Sequence, residues 1–91
     1  MPVTIRIPTP LRKLTLDQPT VEVQPGTISS AFVQLEARFP GIQERLLDAN
    51  GQVRGFVLVY VNDEDIRFLQ NKETPVKEGD EVTIQPAIAG G

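Results

Sequence analysis

Only one long stretch of this chain repeats its apolar residues at helical spacing. Ile28, Phe32, Leu35 and Phe39 follow one another at intervals of four, three and four, which puts them on one face of a helix running from about Ser29 to Arg38. A lone amphipathic helix cannot close a core; its apolar face needs a sheet to lie on. The flanking stretches have the period of strands. Val3, Ile5 and Ile7 alternate with Thr4 and Arg6, the pattern of a half-buried strand, and Pro8 and Pro10 end it. Leu11 to Leu16 reads as a polar-leaning connection. Thr20–Gln24, with Val21 and Val23 on one face, is a second strand that pairs with the first as a hairpin with a long loop. Pro25-Gly26 is a turn dipeptide, Thr27 follows as a helix N-cap, and Pro40-Gly41 stops the helix. Ile42, Leu46 and Leu47 predict a short second helical turn, and Asn50-Gly51 a turn.

Beyond it, Phe56 to Val61 is the most apolar stretch, β-branched and aromatic throughout, and is predicted as the central strand. Asn62-Asp63-Glu64-Asp65 forms a polar turn and Ile66–Leu69 a short strand at best. Gln70 to Glu78 is an irregular connection, and Gly79-Asp80 turns into a final strand, Glu81 to Gln85. The order strand, strand, helix, strand, short strand, strand predicts an α+β roll, a mixed sheet of four to five strands covered on one face by a helix, which is the β-grasp (ubiquitin-like) arrangement. With 91 residues, 40% of them apolar, residues 1–91 are expected to form a single domain. Its tail, 86–91 (Pro86-Ala87-Ile88-Ala89-Gly90-Gly91), cannot extend a regular element and is expected to be flexible.

The sequence contains neither Cys nor His. That removes disulfides, thiolate metal sites and thiol nucleophiles, and with them the commonest general base and metal ligand. The remaining carboxylates, lysines, hydroxyls and Tyr60 show no acid–base or nucleophile pairing, so no catalytic residue and no metal site is predicted, and the chain reads as a protein that is not an enzyme. Nine Lys and Arg against twelve Asp and Glu give a net charge of −3. The cations are scattered, which argues against a nucleic-acid partner. No apolar run has the length of a membrane span, and Met-Pro-Val-Thr-Ile-Arg lacks a signal peptide's features. The expectation is a cytoplasmic protein, monomeric when alone, with no bound cofactor.

The termini then carry the chemistry. Gly90 and Gly91 have no Cβ, so a tail ending in them can thread a narrow channel and present a carboxylate in another enzyme's active site. A carboxylate is a poor acyl electrophile until a nucleotide-using partner activates it. The same residues read equally well as an ordinary disordered end; the lack of Cys and His favours the functional reading. On the strand Phe56 to Val61 both faces are apolar, and a sheet with one helix buries only one. The even series continues as polar Asn62 and Glu64, so Phe56, Leu58 and Tyr60 are expected to form an exposed apolar patch for docking, unless the loop 11–18 or a dimer partner covers it. Asp63-Glu64-Asp65 lacks the ligand spacing of a calcium loop and reads as a solvated turn. Ser29 and Ser30 sit best in a helix's first turn, without chemistry.

Val3–Leu11 (VTIRIPTPL), Leu35–Leu47 (LEARFPGIQERLL), Phe56–Phe68 (FVLVYVNDEDIRF) and Gly79–Gly91 (GDEVTIQPAIAGG) together resemble the MoaD/ThiS-type ubiquitin-like sulfur carriers. The Tyr-Val-Asn-Asp-Glu-Asp-Ile-Arg run is most similar to the CysO-like carriers of cysteine biosynthesis. The resemblance implies that a MoeB/ThiF-like (E1-like) enzyme adenylates the Gly91 carboxylate with ATP, after which sulfur transfer makes a thiocarboxylate. Gly90 keeps the tail slender and Ile88 and Ala89 seat it. In the CysO-like branch a PLP-dependent cysteine synthase uses the sulfur on an activated serine, and a zinc metalloprotease releases cysteine from the carrier. Molybdopterin-type carriers often have an aromatic residue before the tail's proline. Here that position is Gln85, which joins Phe56, Leu58 and Tyr60 on the expected docking face and favours another sulfur acceptor. Carriers for molybdopterin, thiamin or tRNA thiolation, and ubiquitin-like modifiers of lysines, share the same tail chemistry.

Overall fold

The computed structural model describes residues 2–86. Strand β1 (Val3–Arg6) runs into a 3-10 turn, Thr9–Leu14, and returns as β2 (Thr20–Val23). A two-residue strand β3 (Gly26–Thr27) leads directly into helix α1 (Ile28–Arg38), followed by the short α2 (Ile42–Leu46). Strand β4 (Val57–Val61) turns tightly into β5 (Glu64–Asp65). Two 3-10 turns, Ile66–Phe68 and Asn71–Glu73, lead to β6 (Pro75–Val76) and then to β7 (Glu81–Pro86).

Five strands form one sheet in the order β2-β1-β7-β4-β5, and β3 and β6 form a separate two-stranded ladder. β1 and β7 are parallel and the other pairs antiparallel, so the sheet is mixed. The registers explain the core. Val3 lies opposite Val23, Ile5 opposite both Val21 and Val82, Val59 opposite Ile84, and Val61 opposite Val82. Partners across a ladder point to the same face, and all these side chains are at most 7% exposed. Ile28, Ala31, Phe32 and Leu35 of α1 are fully buried in the same core. Each large side chain so buried contributes about 1.5–3 kcal/mol.

The helix starts and stops where its side chains can cap it. Thr27 Oγ1 accepts from the Ser30 N–H at 3.1 Å, and Ser30 Oγ accepts from the Thr27 N–H at 2.9 Å, a reciprocal cap that gives Ser30 a structural role. At the far end Gly41 takes φ 101°, open to glycine without strain. The Glu36 carboxylate accepts from the Gly41 and Gln43 N–H groups at 3.0 and 2.9 Å. These two bonds, Gly41's first, hold the Glu36 carboxyl below the ordinary range and fix the joint between α1 and α2.

The fold class, the first two strands, the helix and the final strand agree with the sequence reading, but several details differ. The central strand is β7, not 56–61. β4 lies between β7 and the two-residue β5, because the parallel pairing of β1 with β7 puts the last strand in the middle. A long apolar run reported burial on the inner face, not centrality. The predicted turn 62–65 is only Asn62-Asp63, whose φ values of 49° and 75° fit a two-residue hairpin turn; Glu64 and Asp65 then pair with β4. Residues 66–69 are not a strand. The 3-10 turn buries Ile66 and leaves Phe68 83% exposed. The connection expected at 11–16 holds the 3-10 turn Thr9–Leu14, and 70–78 contains another such turn and β6, which pairs with β3.

Candidate functional site

The sequence reading located the chemistry at the tail, and β7 carries the chain towards it. β7 ends at Pro86, which lies opposite Val57, the first residue of β4. Ile88, Ala89, Gly90 and Gly91 lie outside the described residues. What is described is the surface from which the tail departs. A groove of about 200 Å³ opens beside Pro86, with Pro8, Pro10 and Leu11 along one wall and Phe56 and Arg45 along the other. Prolines and aromatic carbon make this groove apolar, and Arg45 is the only charged residue among its described lining residues. Nothing in the sequence pattern marks Pro8, Pro10, Leu11 or Arg45 for this groove, since its four separate segments meet only in the folded chain.

The outer face of the sheet starts at the same place. Leu58 pairs with Gln85 and Tyr60 with Thr83 across β4 and β7, so these four side chains share one surface. Leu58 and Tyr60 are half-buried and Gln85 is exposed. Leu11 and Leu14 of the loop between β1 and β2 pack against the core, and Leu11 also lines the groove with Gln85. Leu58, Tyr60 and Gln85 are contiguous. Phe56 is not part of their alternation. It precedes β4 in the turn at Gly55-Phe56, is 41% exposed, and faces Arg45 and the prolines in the groove. The ladder begins only at Val57, so the period-2 count that placed Phe56 beside Leu58 began one residue too early.

Charged groups frame this face. Arg6 and Glu81 form an exposed pair at 3.4 Å. Asp65, opposite Tyr60, accepts from Arg67 through both carboxylate oxygens, with the Arg67 Nη2 at 2.7 Å from Oδ2. Those side-chain hydrogen bonds hold the Asp65 carboxyl below its ordinary range and raise Arg67. Just past the same end of β4, Asp80 accepts from the Lys77 N–H at 2.8 Å and from Asn62 Nδ2 at 2.9 Å. The Lys77 bond, then the Asn62 bond, depress its carboxyl. These carboxylates serve as local ties. No nucleophile–base pair is present among the described residues.

Comparison with known proteins agrees with this picture. Residues 5–91 match the sequence profile of the ThiS family. The chain belongs to the ThiS family. The sulfur carrier protein CysO of Mycobacterium tuberculosis is 46% identical over 93 aligned residues that cover 100% of both chains. A chain in the crystal structure of the Amycolatopsis orientalis BexX/CysO complex superposes with a TM-score of 0.91 at 44% identity, over 98% of this chain and 99% of that one. The small archaeal modifier protein 3 of Haloferax volcanii is 32% identical over 66 residues, covering 72% of this chain and 71% of that protein. This ThiS family member thus has the β-grasp fold expected from the element order, and its similarity runs to CysO-like carriers.

Proposed function

We propose that this protein is a sulfur carrier supplying cysteine biosynthesis, acting in the cytoplasm as a substrate of partner enzymes and not as an enzyme. An E1-like partner of the MoeB/ThiF type binds the carrier. A Gly91 carboxylate oxygen attacks the α-phosphate of ATP, pyrophosphate leaves, and an acyl-adenylate forms. Sulfur from a partner's donor then displaces AMP and leaves a thiocarboxylate. A PLP-dependent cysteine synthase takes that sulfur onto an activated serine, and a zinc metalloprotease frees the resulting cysteine from the carrier.

The observation carrying this reading is the similarity to CysO over the chain's whole length. The geometry supports it. The described surface offers no nucleophile–base pair, and the central strand ends at Pro86, at the margin of a face where Leu58, Tyr60 and Gln85 are contiguous. We assign that face, together with Phe56 in the adjoining groove, to docking of the activating enzyme. Ile88, Ala89 and Gly90 seat the tail in the partner's channel.

Intact-mass spectrometry of untagged protein from its native host tests the reading. Replacement of one terminal oxygen by sulfur is expected, together with a fraction carrying an added cysteine. Removing Gly90-Gly91 is expected to abolish both while leaving the melting temperature unchanged. A second reading, conjugation to lysines, is favoured by the similarity to the Haloferax modifier. Branched Gly-Gly remnants on host lysines, with no sulfur on the free chain, would select it instead.

A further inference from the structure

A cavity of about 140 Å³ opens between the β5 edge of the sheet and the loop that precedes β4. Gln52, Arg54, Asp65, Arg67, Asn71 and Lys72 line it. Three of the chain's nine Lys and Arg meet there with one of its twelve carboxylates, in a protein whose net charge is negative.

Each cation is anchored by part of its donor set. Arg54 Nε donates to the Glu44 carbonyl at 2.9 Å, and Lys72 Nζ donates to the Gly51 carbonyl. Arg67 holds Asp65 through Nε and Nη2. The remaining donors have no partner among the described residues: both terminal nitrogens of Arg54, Nη1 of Arg67, and two N–H bonds of Lys72. The one carboxylate cannot satisfy them, because Asp65 already accepts from the Arg67 backbone N–H at 2.8 Å as well as from its side chain. The cavity therefore gathers three cations with unspent donors around a single carboxylate, and Val57 and Val59 contribute apolar surface to its wall.

We propose that this cavity binds a tetrahedral oxyanion, a phosphate or sulfate group, held by Arg54, Arg67 and Lys72. Four acceptor oxygens around one centre suit donors that three segments contribute to one cavity. The volume has room for several waters, hence for a single such group, and is too small to enclose a nucleotide. The group is either free or carried on a small phosphomonoester. The site is separate from the chemistry proposed at Gly91, so neither stands or falls with the other.

The test is a titration of the full-length ¹⁵N-labelled protein with inorganic phosphate, ionic strength being held constant with sodium chloride. Saturable shifts confined to residues 52–55, 65–67 and 71–72 are expected. Arg54→Gln is expected to weaken binding about tenfold, the loss of one or two charge-assisted bonds, whereas Lys13→Gln, on a distant exposed turn, leaves it unchanged. Lys72→Gln repeats the test should Arg54→Gln fail to fold. A parallel titration with glycerol 3-phosphate separates the sources: tighter binding than inorganic phosphate identifies a monoester ligand, and equal or weaker binding a free oxyanion. Shifts that never saturate with either probe, that spread over every basic residue, or that Lys13→Gln reduces as much as Arg54→Gln, would overturn the proposal.

Discussion

On β4 and β7, Val59, Val61, Val82 and Ile84 face α1 and are at most 7% exposed, while Leu58, Tyr60, Thr83 and Gln85, each one residue along the same two strands, remain half-buried or exposed. The two faces share a backbone and a ladder of hydrogen bonds, so their difference lies wholly in what covers them. The helix covers the inner face, and burial there supplies the hydrophobic contribution to stability. The outer face is less deeply buried, yet it keeps a leucine and a tyrosine side by side. Apolar groups that the fold does not bury cost solubility without adding stability, and they mark surfaces used for binding. The inner face answers to folding, and the outer face is the one we propose for partners.

The sharpest way to break this division is on the inner side. Phe32→Ala removes a fully buried ring from α1 and is expected to cost about 3–5 kcal/mol in chemical denaturation. A loss below about 1 kcal/mol would mean that the helix does not close the core. On the outer side, Leu58→Glu is expected to weaken binding to the activating enzyme at least about tenfold, or ~1.4 kcal/mol, measured by calorimetry. The same change should alter unfolding stability by less than about 1 kcal/mol; unfolding in place of lost binding would refute the division. Thr27→Ala removes the reciprocal cap at the start of α1 and should cost about 1 kcal/mol with enzyme binding intact.

The smallest effect concerns pH. The carboxyls of Glu36, Asp65 and Asp80 titrate below their ordinary range in the folded chain, so the unfolded chain takes up protons first as pH falls. Their contribution is complete above the unfolded carboxylate range, near pH 4, and disappears as pH drops through the lower folded values. Exposure of these groups keeps the effect small. Denaturation midpoints measured from pH 7 to 3 should decline only towards the acid end, and Asp80→Asn should flatten that decline slightly.

Much of this molecule was determined by its sequence alone. Period-2 apolar residues at 3–7, 21–23 and 82–84, a single helical stripe at 28–39, and turn residues between them leave few arrangements other than a sheet roofed by one helix. The lack of Cys and His removed thiol and imidazole chemistry from its repertoire. These features are local, and local patterning reports which face of an element is apolar. Tertiary structure alone decided which strand lies in the middle, because a parallel pairing between the first and last strands depends on residues some 75 positions apart, such as Arg6 and Glu81. The groove of Pro8, Pro10, Leu11, Arg45 and Phe56 and the cavity of Arg54, Arg67 and Lys72 are of the same kind. Each gathers side chains from separate segments, and the packing of those segments on a common core brings together residues that have no periodic relation along the chain.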